Sequence, residues 1–79
     1  MRVVADIPHS HFKIQVFQWN GKYQLKFEIG TFEQTYKIDE TSVDGLDAVK
    51  ALVTDEFLNQ VMGRMVTMRE DWAAALKQA

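Results

Sequence analysis

Residues 12–38 read FKIQVFQWNGKYQLKFEIGTFEQTYKI, and this stretch decides the fold. It holds two turn signals, Asn20-Gly21 and Gly30-Thr31, set between runs that alternate apolar and polar residues. Asn-Gly favours a two-residue hairpin loop because both residues accept positive φ. Treating each dipeptide as such a loop fixes the pairing. Val16 then faces Leu25, Ile14 faces Phe27 and Phe12 faces Ile29. Across the second turn Ile29 faces Phe32, Leu25 faces Tyr36 and Tyr23 faces Ile38. Both registers place one apolar set on one face. A slip of a single residue would turn that whole set outward, so the agreement specifies the pairing. The expectation is a three-stranded antiparallel meander, order 1-2-3, with strands at about His9–Trp19, Lys22–Ile29 and Phe32–Ile38.

Beyond Asp39 the period changes from two to between three and four. Leu46, Val49, Ala51, Leu52 and Val53 suit a short helix that starts near Ser42 or Asp44. Thr54 is the expected N-cap of a second helix, with Asp55 and Glu56 in its first turn, where carboxylates favour the helix dipole. Leu58, Val61, Met65, Met68, Trp72 and Ala75 (or Leu76) then recur at helical spacing, and Phe57, Met62 and Val66 widen the stripe. A helix over residues 55–77 would be about 34 Å long, against about 26 Å for an eight-residue strand. Its last turns, near Trp72, should overhang the sheet. Gly63 sits mid-helix, where glycine costs about 1 kcal/mol relative to alanine, and suggests a bend or a close approach to the sheet. The chain reads as one α+β domain over residues 1–79, β-β-β-α-α, with both helices on one face of the sheet. The expected core is Phe12, Ile14, Val16, Tyr23, Leu25, Phe27, Ile29, Tyr36, Ile38, Leu46, Val49, Leu52, Leu58, Val61 and Met65.

A chain of 79 residues buries only about 60–65% of its unfolded surface, so its core is marginal and association is a common remedy. Zero cysteines exclude disulfides and a thiolate zinc site. No apolar run approaches the roughly 20 residues that span a bilayer. The N-terminus carries charge too early for a secretory signal. The cytoplasm is therefore the expected location, with no membrane partner. The net charge is −2. Residues 1–38 carry a net +2 and residues 39–79 a net −4. This two-sided distribution suits self-association or a charged partner.

The outer sheet face is the leading candidate surface. Phe17 and Trp19 stand there among Lys13, Lys22, Gln24, Lys26 and Lys37, and an exposed aromatic pair marks an interaction site more often than a bare monomer surface. Residues 1–8 would be a lead-in to the first strand that could also fold over this face. The leading expectation is a non-catalytic interaction or oligomerisation domain, a homodimer or part of a larger assembly. Its interface candidates are Phe17, Trp19, Lys22, Gln24, Met68 and Trp72. The alternative is weak nucleic-acid binding, with bases stacked on Phe17 and Trp19 and phosphates met by Lys13, Lys22, Lys26 and Lys37. A second alternative is a small ligand between sheet and helix, near Tyr23, Gln34 and Tyr36.

The stretch Gly21-Lys22-Tyr23 with Gly30-Thr31-Phe32 is similar in outline to the hairpin of plant AP2-type and phage integrase arm-type DNA-binding domains. Those sheets carry several arginines toward the major groove, and this one carries none, so the resemblance extends to strands and turns and not to a DNA-reading surface. His9 and His11 share strand spacing, but no third ligand lies nearby. Ser10, between them, points to the opposite face, so a serine–histidine nucleophile is geometrically poor. The acids Asp39, Glu40, Asp44, Asp47, Asp55 and Glu56 lack the alternating oxygen ligands of a calcium loop and suit helix starts instead. No catalytic residue, metal or cofactor is expected, and no enzymatic activity.

Overall fold

The computed structural model describes residues 1–78. It is α+β, with an antiparallel sheet of four strands followed by two helices. The strands are β1 (Arg2–Ile7), β2 (Lys13–Trp19), β3 (Lys22–Ile29) and β4 (Phe32–Asp39), paired in the order β1-β2-β3-β4. After a 3₁₀ turn at Glu40–Ser42 come α1 (Gly45–Ala51) and α2 (Asp55–Leu76).

The two hairpins hold the register that their turns dictate. Val16 pairs with Leu25, Ile14 with Phe27, Leu25 with Tyr36 and Tyr23 with Ile38. Asn20 and Gly21 both take positive φ, 56° and 78°, as a type I′ loop requires. The strand count is the correction. Residues 2–7 are neither a lead-in nor a cover for the outer face; they form a fourth strand against β2. Strand β2 accordingly begins at Lys13, and residues 8–12 become the β1–β2 connection. His9 holds that connection: its Nδ1 accepts from the backbone N–H groups of His11 and Phe12, at 3.1 and 3.3 Å. Its ring lies 5.1 Å from that of Phe12, which is buried.

A β-bulge at Val4 shapes the new strand. Val3 pairs with Phe17, but Ala5 pairs with Val16 and Ile7 with Ile14. The extra residue shifts the phase, so Val3 lies on the outer face while Ala5 and Ile7 join the core face.

The core sits between the sheet's inner face and the helices. Phe27 is fully buried at its centre and meets Phe12, Tyr36 and Phe57 edge-on, at ring separations of 6.0, 6.1 and 5.6 Å. Val49 of α1 and Val61 and Met65 of α2 close it. Ile29, Tyr36, Ile38, Leu46 and Leu58 pack around its margin. Leu52 departs from expectation. Helix α1 ends at Ala51, and the chain turns there toward Thr54, leaving Leu52 47% exposed. Thr54 caps α2 as its position predicts, its side chain accepting from Phe57 N–H at 3.1 Å. Asp44 precedes α1 but makes no side-chain cap bond.

Helix α2 lies along β4. Phe57 packs beside Tyr36, and residues from Met62 to Trp72 lie beside the β3–β4 turn and Phe32. The helix thus runs opposite to β4 and continues past the end of the sheet. Every residue from Arg69 to Gln78 is exposed. The radius of gyration is 14.2 Å, where a compact domain of this length has about 12 Å. The overhang accounts for the excess.

Candidate interaction surface

The outer sheet face holds Phe17 and Trp19, as expected, but the two differ in exposure. Trp19, at the end of β2, is 55% exposed. Phe17 is half-buried, and the ammonium of Lys26 stands 5.4 Å from its ring centroid, a cation–π contact. Gln24, expected to be exposed, is only 8% exposed. It lies on a central strand with Phe17 on one side and Lys37 on the other. Lys22 is paired with Asp39, Nζ to Oδ1 2.6 Å, and Lys26 reaches Glu33 at 3.5 Å.

Those two bridges express a wider balance. Register places Lys13, Lys22, Lys26 and Lys37 on this face together with Asp6, Glu28, Glu33 and Asp39. Four cations meet four acids, so the face carries no net charge. Phosphate recognition relies on a surplus of cations and the counterions they release. This face has none to offer. Asp6 and Asp39, brought in by β1 and by the last residue of β4, complete the balance.

The inner edge of the sheet is polar in a different way. Gln34 Nε2 donates to the backbone carbonyl of Val61 at 3.0 Å, and Tyr36 Oη donates to Gln34 Oε1 at 2.6 Å. Arg64 donates to Tyr36 Oη at 3.3 Å. This chain of bonds pins the middle of α2 to β4. It uses both ends of the Gln34 amide, so Gln34 and Tyr36 serve the β4–α2 joint, while Tyr23 is buried opposite Ile38. A similar polar tie joins β1, β2 and the 3₁₀ turn: Arg2 donates to Gln18, and Gln18 donates to Glu40.

Along the far side of this joint the surface is concave and mainly apolar. One groove is lined by Gln34, Thr35, Tyr36, Gln60, Gly63 and Arg64. A second lies between the β3–β4 turn and the helix, at Phe32, Met62, Met65, Val66 and Arg69. A third joins Phe32 and Met68 to Asp71 and Trp72. Met68 is half-buried and Trp72 is 53% exposed, with Val66 and Leu76 also exposed. The candidates Met68 and Trp72 thus belong to one continuous strip along α2. Phe17, Trp19, Lys22 and Gln24 lie on the other side of the sheet. Phe32, Val66 and Arg64 lie outside the set of interface candidates that the sequence offers. Their signal was present in the helix, where Met62 and Val66 broaden the apolar stripe beyond what one sheet face covers.

No close approach of α2 to the sheet requires the glycine at position 63. A Cβ added there meets nothing within 4 Å. His9 and His11 are 5.8 Å apart between ring centroids, but His9 Nδ1 is committed to the backbone of its own turn. Among the described residues, no group of three or more His, Asp or Glu side chains is placed to hold a metal ion. Among them, too, no helix is long and apolar enough to cross a membrane. Comparison with known proteins finds no matching family model, no matching curated protein and no matching solved structure.

Proposed function

We propose that this chain is a non-catalytic interaction domain that works by self-association. The observation that carries the reading is the outer half of α2. Val66, Trp72 and Leu76 are exposed on a helix that outruns its sheet, and Met62, Met68 and Phe32 line the grooves beneath it. An apolar strip of this kind on so small a domain lacks the cover that a larger core would provide. A second subunit supplies that cover. The charge-balanced outer face favours a protein partner over a nucleic acid.

The test is the mass in solution by light scattering coupled to size exclusion, across a hundredfold range of concentration. The expected result is a dimer whose dissociation is promoted by Trp72→Ala. Truncating a side chain 53% exposed in the monomer should alter monomer stability by no more than about 0.5 kcal/mol. A chain that stays monomeric across the range refutes self-association.

A further inference from the structure

The two edges of the sheet are not alike. Strand β1 carries a bulge at Val4, charged Arg2 and Asp6, and Pro8 just beyond its end. These are the devices that protect an edge from pairing. Strand β4 is also charged, at Glu33, Lys37 and Asp39, but it has neither a bulge nor a proline. It is eight residues long, regular in register, and free of proline and glycine.

Its open side is also predictable. In a two-residue hairpin the closing pair, here Ile29 and Phe32, is hydrogen-bonded, and residues alternate from there. The bond from Glu40 N–H to Gly21 C=O, 2.9 Å, keeps the same phase at the far end of the strand. The backbone groups of Glu33, Thr35 and Lys37 therefore point away from β3.

We propose that β4 pairs antiparallel with β4 of a second copy, about a two-fold axis at Thr35, to form one continuous eight-stranded sheet. The proposal rests on the self-association reading and names its surface. Centred on Thr35, the sequence is self-complementary. On the outer face Glu33 meets Lys37 of the other copy, twice by symmetry, and Thr35 meets Thr35. On the inner face Phe32 meets Ile38, and Gln34 meets Tyr36. Opposite charges and threonine pairs are favourable directly across a ladder. An isologous interface requires this reciprocity, in which residue i meets j and j meets i.

The same axis gives Gly63 a role. The bond from Gln34 to the Val61 carbonyl fixes the middle of α2 beside the middle of β4. Gly63 lines the groove that also holds Thr35. Two-fold symmetry then lays the two α2 helices antiparallel over the seam, with their Gly63 faces toward each other. Absence of a side chain there allows close approach. Antiparallel helices that cross at Gly63 also bring Trp72, nine residues on, level with Thr54 and the exposed Leu52 of the other copy. Arg69 comes level with the turn that holds Asp55 and Glu56.

The chain has no cysteine, so single-cysteine variants give a clean test. Cα atoms of a paired position lie about 5.5 Å apart, within disulfide reach. Under mild oxidation Thr35→Cys should crosslink into dimers at least about tenfold faster than Val3→Cys on the opposite edge or Lys13→Cys on the outer face. Glu33→Lys should weaken the dimer about tenfold or more, since it sets lysines against Lys37, and Glu33→Lys with Lys37→Glu should restore it. The restoration separates pairing across the axis from loss of the Lys26–Glu33 bridge, which the double variant does not repair. A dimer that crosslinks through Val3 and not Thr35, or that ignores both charge variants, overturns the β4 pairing and leaves self-association standing. A monomer at every concentration overturns both.

Discussion

Gly63→Ala should act in opposite directions on the monomer and on the dimer. Within one copy, the glycine has no steric justification. It lies in the interior of a 22-residue helix, is exposed, and a Cβ built on it meets nothing within 4 Å. Alanine removes backbone freedom from the unfolded chain and adds no clash, which is worth about 0.8–1 kcal/mol in a helix interior. For a domain of this size that corresponds to a rise in Tm of about 4–8 °C. In the dimer, the methyl group enters twice at the helix crossing, once from each copy. Overpacking of a close contact costs about 1–3 kcal/mol, so dissociation should become about tenfold easier or more. The assay must separate the two effects, because dimerisation itself raises apparent stability with the logarithm of concentration. Thermal unfolding is therefore measured at the lowest concentration at which the chain is monomeric, and association by light scattering at higher concentration. A variant with raised monomer Tm and weakened association fits. Lower monomer stability would refute the placement of Gly63 in open space. Raised stability with unchanged association would remove the close helix crossing.

Phe27→Ala should cost about 3–5 kcal/mol, because Phe27 is fully buried and meets three aromatic rings. Leu52→Ala, at an exposed position, should change monomer stability by no more than about 0.5 kcal/mol, and urea midpoints of the two variants read the contrast directly. Thr54→Ala removes the acceptor for Phe57 N–H and should cost about 1 kcal/mol, with Thr54→Ser, which keeps a hydroxyl acceptor, retaining most of the stability; equal loss in both variants would deny the capping role.

The pairing of β2, β3 and β4 was legible because three separate signals agreed: turn residues, side-chain period and the identity of facing residues. The fourth strand was not, and the reason is the bulge. Val3, Val4, Ala5 and Ile7 carry two alternation phases in six residues, so no period-two reading holds across the segment. The extra residue at Val4 makes sense only once Phe17, Val16 and Ile14 stand opposite to receive it. Gln24 failed for a related reason. A polar residue on the solvent side of a strand reads as exposed, but on a central strand the side chains of two neighbours shelter it. Leu52 kept the helical period and lost its burial because α1 stops one residue earlier. The strip along α2 was half legible. Excess apolar length could be counted from the sequence, whereas the joint of Gln34, Tyr36, Arg64 and the Val61 carbonyl depends on where the helix crosses the strand.

The missed strand changes more than the count. A three-stranded sheet would leave two unprotected edges, and a chain that pairs at both can add copies without limit. Strand β1 occupies one of those edges and is itself bulged, charged and followed by proline. Only β4 is then left open, and a strand that pairs with its own copy about a two-fold axis consumes that edge in both partners at once. The resulting sheet ends in β1 on both sides, and β1 is protected. Closed symmetry of this kind stops at two subunits, whereas head-to-tail contacts between unlike edges propagate. The same reasoning accounts for the difference in residue choice between the edges. The bulge at Val4 and Pro8 just beyond the strand make β1 a poor template. The alternation of Glu33, Thr35 and Lys37 keeps β4 soluble while single and becomes complementary when the strand is reversed against itself.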